Sequence, residues 1–308
     1  MSSLIEQATQ RLEQLRRAGV SIPELIRNAG AQRTPTQPEL AAVVANTAVQ
    51  MPEQIVSSSR RVELNLEAMA ATGIVTPNAA RSQIGDQYRV IKRPLISNAR
   101  GKGVPSLNHG NLIMVTSSLA GEGKSYTSVN LAMSIAAELD NTVMLVDADV
   151  ARPSILKMLG LPPSPGLLDL LEGKADMSGV LLRTNIDKLT ILPSGTPHGR
   201  ATELLASEAM RLLLEDMAER YSDRIIIFDS PPLLLTTEAR VLATQMGQIV
   251  MVVQAGKTLR SDVIHALSTI EACPVRMLLL NKSQAESPSG YGYGYGYGYG
   301  YGPDKQAS

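Results

Sequence analysis

Residues 111 to 125 read Asn-Leu-Ile-Met-Val-Thr-Ser-Ser-Leu-Ala-Gly-Glu-Gly-Lys-Ser, an apolar run that enters a glycine-containing loop and closes on Gly123, Lys124 and Ser125. This is the Walker A pattern, with Ser118 where the leading glycine usually stands. Backbone N–H groups from Ser118, Leu119, Ala120, Gly121, Glu122 and Gly123 through the helix start at Tyr126 can wrap phosphate oxygens. Lys124 can reach the β- and γ-phosphates, and the Ser125 hydroxyl can ligate Mg²⁺.

Two acidic sites follow, each closing a short apolar run. Val143 to Val146 leads into Asp147-Ala148-Asp149, and Ile225 to Phe228 leads into Asp229-Ser230-Pro231-Pro232. Carboxylates beside a phosphate loop suit Mg-nucleotide chemistry: they hold the metal directly or through water, and one accepts the proton of an attacking hydroxyl. Lys124, Asp147, Asp149 and Asp229 are the candidate catalytic residues, and Ser125, Asp147 and Asp229 the candidate metal ligands. Hydroxyls crowd the other end of the chain. Tyr291, Tyr293, Tyr295, Tyr297, Tyr299 and Tyr301 alternate with glycine, Tyr-Gly six times over, and make up six of nine tyrosines. Glycine at every second position and the lack of aliphatic side chains predict an exposed, mobile segment. Each phosphate placed there adds roughly −1.5 to −2 charge.

The elements that must position these residues alternate along the chain. Strands are predicted near 111–116, 142–147, 189–193, 224–229, 249–254 and 275–281, with helices near 124–139, 201–221, 236–247 and 261–272. Such alternation predicts an α/β fold with a doubly wound, mostly parallel sheet, in which ligands bind beyond the carboxyl ends of the strands. The Lys/Ser, Asp/Asp and Asp sites would then meet in one crevice. Around this domain, expected at 81–283, lie an amphipathic helix within 1–27 (Leu4, Ile5, Ala8, Leu12 and Leu15 on one face), a linker over 28–80 with one short helix, and a disordered tail over 284–308.

Walker A, the Asp-x-Asp segment and the Asp-Ser-Pro-Pro segment together resemble the bacterial tyrosine kinases of the MinD-like branch of P-loop proteins, over about residues 80 to 302. The opening Ser3-Leu4-Ile5-Glu6, the Val-Ile-Lys-Arg-Pro-Leu run at 90–95 and Asp-Ala-Asp-Val-Ala-Arg-Pro at 147–153 are similar to the branch linked with exosortase-type exopolysaccharide loci. The resemblance implies ATP and Mg²⁺ as cofactors and autophosphorylation on the tyrosine cluster, with Asp147 the preferred acceptor of the phenol proton. The pattern leaves base, metal and water roles open among the three aspartates. It implies control of exopolysaccharide polymerisation, a membrane copolymerase as activator and a cognate tyrosine phosphatase. Self-association is implied through the helix Asp86-Gln87-Tyr88-Arg89-Val90-Ile91-Lys92-Arg93, which is similar to the family's Glu-x-x-Arg-x-x-Arg with Asp86 for Glu and Lys92 for the second Arg. Asn281 resembles the position that contacts adenine, and a strand-ending turn residue is an equal reading. MinD-like partitioning relatives carry an additional Lys early in the loop, which this chain lacks.

Composition sets the bounds. Twenty-nine Lys and Arg balance 29 Asp and Glu, so no general electrostatic case for nucleic acid exists. Cys273 is the single cysteine, which excludes an internal disulfide framework and a cysteine-rich zinc site. No apolar stretch reaches the roughly 18 residues of a membrane span, so the expectation is a cytoplasmic protein recruited to the inner membrane by a partner. Three functions remain open on sequence: a tyrosine autokinase acting on a neighbour's tail, a MinD-like switch ATPase without tyrosine transfer, and a non-enzymic scaffold ordered by ATP.

Overall fold

All six residues of the strand Leu112–Ser117 are buried, which requires cover on both of its faces. A computed structural model of the chain describes residues 59–77, 82–104, 107–221 and 223–283. The expected helix within 1–27, most of the 28–80 linker and the tyrosine-rich tail lie outside these residues.

In chain order the elements are β1 (Arg60–Val62), α1 (Leu66–Ala71), α2 (Gln83–Ala99), β2 (Leu112–Ser117), α3 (Lys124–Ala136), β3 (Thr142–Asp147), α4 (Ile155–Met158), α5 (Leu167–Leu171), α6 (Met177–Val180), β4 (Leu182–Thr184), β5 (Leu189–Leu192), α7 (Ala201–Leu205), α8 (Glu208–Arg220), β6 (Arg224–Asp229), α9 (Glu238–Ala243), β7 (Gln248–Gln254), α10 (Arg260–Ser268) and β8 (Val275–Asn281). The strands form one sheet in the order β1-β4-β5-β3-β6-β2-β7-β8. Every pairing is parallel except β4 with β5. Alternate residues serve opposite faces: Leu112, Met114, Met144, Val146 and Phe228 enter one core, and Ile113, Val115, Val143, Leu145 and Ile227 the other. The doubly wound, mostly parallel sheet is therefore as expected, and two cores clamp β2 between them.

Three features depart from the sequence reading. First, part of the expected linker is structural: β1 pairs with β4, and Leu64, Met69 and Ile74 are buried in the core beside α3. Second, the helix expected over 201–221 is two helices. The Ser207 hydroxyl accepts from the Met210 N–H at 3.2 Å and starts α8 afresh. Third, Lys92 is not a surface residue of α2. It is 5% exposed, and its ammonium donates to the Ser134 carbonyl at 2.6 Å and pairs with Glu138 at 2.5 Å, near the end of α3. The Lys92 ammonium thus neutralises the negative end of α3, so it is spent within the chain and is not presented to a neighbouring copy. Arg89 remains exposed and pairs with Asp86 at 2.6 Å.

A buried amide pair completes the attachment of α2. Gln248 accepts from Asn98 Nδ2 at 2.9 Å and donates to the carbonyls of Leu95 and Gly110 at 3.1 and 2.6 Å, so both amide ends are satisfied inside the core. Because Lys92 fastens the same helix by a buried charge, Lys92→Ala is expected to lower the melting temperature by several degrees, a loss of about 2 kcal/mol. Arg93→Ala, on the exposed side, should leave it within about a degree, and parallel thermal melts of the two variants check the contrast.

Candidate active site

The loop between β2 and α3 is built to present backbone N–H groups. Gly121 and Gly123 take φ of +84° and +100°, a region where side-chain-bearing residues are strained, and a Cβ at Gly123 would collide with Asn281 Nδ2. No side chain caps the N-terminus of α3, which leaves its first N–H groups and the positive end of a 13-residue helix for an anion. The loop is held from within and from behind. Glu122, 3% exposed, accepts from the Leu119 N–H at 2.7 Å and from the Thr258 hydroxyl. Asn281 Nδ2 donates to the Glu122 carbonyl at 2.9 Å, and Lys282 Nζ donates to the Gly121 carbonyl at 2.7 Å.

Several side chains at the loop have partners within the protein. Glu122 supports the loop's shape. Tyr126 turns its hydroxyl to the Gly73 carbonyl at 2.6 Å. Asn281 stands against the loop backbone. Lys282 and Thr258 were missed by sequence reasoning, because no motif marks residues that reach a loop across more than 130 positions of chain.

Opposite the loop, parallel pairing brings the carboxylates together. β3 and β6 run side by side with Asp147 in register with Asp229, and β2 adjoins β6. Asp147 Oδ2 accepts from the N–H groups of Ser154 and Ile155 at 3.1 and 3.0 Å, holding the start of α4. Asp229 Oδ1 accepts from the Ser128 hydroxyl at 3.1 Å. Ser128, one helical turn after Lys124, is a site residue that the i to i+4 spacing could have revealed. Lys124 Nζ donates to Asp149 Oδ2 at 2.6 Å, an ion pair with both side chains largely buried, and lies 3.4 Å from Ser125 Oγ. Lys124, Ser125, Asp147, Asp149 and Asp229 thus share one crevice at the carboxyl edge of the sheet.

Three buried oxygens there have no partner within the protein: Ser118 Oγ, Asp147 Oδ1 and Asp229 Oδ2. Hard oxygen donors left unsatisfied beside an uncapped helix start fit a magnesium nucleotide. Among the described residues no three His, Cys, Asp or Glu side chains gather into a metal cage by themselves.

Burial, reinforced by the charge of Asp229, pushes the Asp147 carboxyl up to about 7, against the pull of its two N–H donors. Burial also raises Asp229 to about 6, although Lys124, Ser125 and Ser128 draw it down. A carboxyl that binds its proton more tightly folded than unfolded destabilises the fold as pH rises through that window, here from about 4 to about 7. Without metal or nucleotide, the melting temperature should fall as pH rises from 5 to 7.5. Asp147→Asn keeps an acceptor for Ser154 and Ile155 without the charge. It should flatten that slope and melt several degrees above the wild type at pH 8 in a pH series of thermal melts.

Comparison with known proteins agrees with the geometry. A ParA family model, described as NUBPL iron-transfer P-loop NTPase, matches residues 108–175. The tyrosine-protein kinase YwqD of Bacillus subtilis is 29% identical over 205 residues, 67% of this chain and 83% of that protein. The tyrosine-protein kinase CpsD of Streptococcus agalactiae is 33% identical over 175 residues, 56% of this chain and 75% of that protein. The crystal structure of the VpsO kinase domain superposes with a TM-score of 0.53 at 27% identity, covering 66% of this chain and all of that domain. With a phosphate loop, a lysine and three aspartates converging at one sheet edge, and relatives of this kind along most of their length, the chain belongs to the bacterial tyrosine-protein kinases.

Proposed function

We propose that this kinase uses ATP to phosphorylate the Tyr-Gly tail of another copy of itself, on Tyr291 to Tyr301, and that the modification regulates exopolysaccharide chain length. The observation that carries the reading is the joining of two features in one chain: the crevice of Lys124, Asp147, Asp149 and Asp229, and a run of six tyrosines separated only by glycine. The phenol oxygen forms a bond to the γ-phosphorus as the bond from that phosphorus to the β–γ bridging oxygen breaks. ADP leaves, and the phenol proton passes to Asp147. A carboxyl with affinity for protons near neutrality suits that transfer.

Lys124 would hold the β- and γ-phosphates, exchanging Asp149 for them. Ser125 and Asp229, with Asp147 beside them, would hold Mg²⁺, whose charge neutralises the phosphates. Asn281 would stand near the nucleotide through its bond to the loop. A membrane copolymerase is the proposed activator and a tyrosine phosphatase the proposed antagonist. Among the described residues no helix is long and apolar enough to cross a membrane, so recruitment to the inner membrane would be through such a partner. Self-association through α2 would use exposed Arg89 and Arg93 and not Lys92.

A mixing experiment tests both catalysis and direction. Full-length Lys124→Met supplies a tail without a competent site, and a version ending at Ser289 supplies a site without a tail. Incubated separately with Mg-ATP, the truncated version should yield no tail phosphotyrosine, and Lys124→Met should yield less than wild type by about two orders of magnitude or more. Mixed, they should place phosphate on the Lys124→Met tail, read by mass spectrometry. ATP turnover with no phosphotyrosine in the mixture or in the wild type would reassign the protein as a switch ATPase.

A further inference from the structure

A cavity of about 410 Å³ opens at the amino end of β6, the other end of the sheet from the crevice. Arg224 begins this strand and Asp229 ends it, and at about 3.3 Å per residue the two lie about 17 Å apart. Three arginines line the cavity: Arg183 of β4, Arg220 at the end of α8, and Arg224. Against them stands one carboxylate, Asp176, which caps α6 by accepting from the Gly179 N–H at 2.7 Å. The other polar groups of the lining are the hydroxyls of Ser59, Ser178, Thr190 and Tyr221. The cavity is therefore cationic in a chain whose net charge is zero.

The arginines are placed but not satisfied. The Arg224 guanidinium lies 4.8 Å over the Tyr221 ring, and its Nη1 donates to the Thr190 hydroxyl at 3.3 Å. Its Nε is buried and has no partner, which is costly for a donor on a charged group. Arg183 is exposed and in register with Thr190, so it stands on the same face of the sheet. Among the described residues no carboxylate pairs with Arg183 or Arg224. Arg220 pairs with Asp216 at 2.7 Å, but both side chains are well exposed, and such a pair yields readily to a stronger anion. Guanidinium groups converging from separate elements suit phosphate, whose oxygens accept their paired N–H donors. Tyr221, Met177 and Leu181 add an apolar wall beside them, which suits a phosphate carried on a ring.

We propose that this cavity binds the phosphorylated Tyr-Gly tail through one phosphotyrosine, as a product site apart from the catalytic crevice. The proposal rests on the autokinase reading above for the source of the phosphate, and it adds where the product goes. Charge favours this occupant. Tyr291–Gly302 carries no charged side chain, and each phosphate gives it roughly −1.5 to −2. The three aspartates of the crevice repel that product, and the arginine cavity attracts it. Unmodified tyrosines offer the arginines no charge, so the cavity separates finished product from substrate.

Direct binding tests this with full-length Lys124→Met, whose own tail stays unphosphorylated and does not compete. Three fluorescein-labelled (Tyr-Gly)6 peptides are titrated with it and read by anisotropy: one unmodified, one with a single phosphotyrosine, and one with phosphoserine at that place. The phosphotyrosine peptide should bind at least tenfold tighter than the unmodified peptide and several-fold tighter than the phosphoserine peptide. Adding Arg183→Ala, at an exposed position, should weaken it about tenfold and leave the melting temperature within about a degree. Arg224→Gln should weaken it at least as much. Arg224→Lys, which keeps the charge and loses the fork, should fall between Arg224→Gln and the unsubstituted site.

Equal affinity for the phosphotyrosine and unmodified peptides overturns the proposal. So does phosphopeptide binding that Arg183→Ala and Arg224→Gln both leave unchanged, since the peptide is then held elsewhere, the crevice included. Equal affinity for the phosphoserine peptide overturns it too, leaving a site for phosphate alone. Binding to phosphatidylglycerol vesicles that Arg183→Ala abolishes, in a protein that ignores the phosphopeptide, overturns it in favour of a membrane contact. The peptide gains its phosphate by synthesis, so the readout does not depend on catalysis. Arginine-dependent phosphopeptide binding, in a protein whose wild type never forms phosphotyrosine, keeps the site and removes the autokinase reading. Phosphotyrosine formed by the wild type without phosphopeptide binding removes the site alone.

Discussion

Asp147 and Asp229 end neighbouring parallel strands, so the sheet forces two carboxylates into one buried crevice, with Asp149 beside them. Burying like charges together is costly unless a cation or a shared proton compensates. The ammonium of Lys124 is the compensation within the chain, and it reaches Asp149 because α3 begins immediately after the loop. The remaining features of the site follow from that strain. The carboxyls of Asp147 and Asp229 are pushed up by burial to about 7 and about 6, one oxygen on each is unpartnered, and an uncapped helix start faces them. A polyphosphate with its metal would answer all of these needs at once, and it is what the kinase family consumes.

Around that crevice the chain places its supports on loops from distant segments. Thr258 after β7, and Asn281 and Lys282 at the end of β8, hold the phosphate loop by its carbonyls and by Glu122. On the other side, Asp169 holds the 194–197 loop against α5. Both clamps use a buried or half-buried polar group to satisfy backbone groups, a device that fixes a loop without a large apolar contact.

Legibility from sequence was uneven for physical reasons. Six strands were readable because each is a run rich in Ile, Val, Leu or Met, buried almost throughout in β2, β3, β5, β6 and β7, while β8 at the sheet edge exposes Leu278 and Leu280. β1 and β4, three residues each and with exposed arginines, carry too little pattern to distinguish them from loop. The break at Ala206 and Ser207 was hidden because helical periodicity continues across it, while the Ser207 cap acts locally. Lys92 was assigned to a self-association surface because it stands where the family's pattern has its second Arg. Its burial depends on where α3 ends, and no window of sequence contains that fact.

The sequence by itself determined the chemistry. A phosphate loop, an Asp-x-Asp after one strand and an Asp after another are local patterns whose side chains have few other uses in that order, and the Tyr-Gly repeat names its own functional group. Tertiary structure alone decided which partners those groups have. The pairing of Lys124 with Asp149, the register of Asp147 against Asp229, and the clasp of Asn281 and Lys282 on the loop all join residues far apart in the chain. Such contacts are set by strand order and helix ends, which are properties of the packed sheet and not of any segment within it.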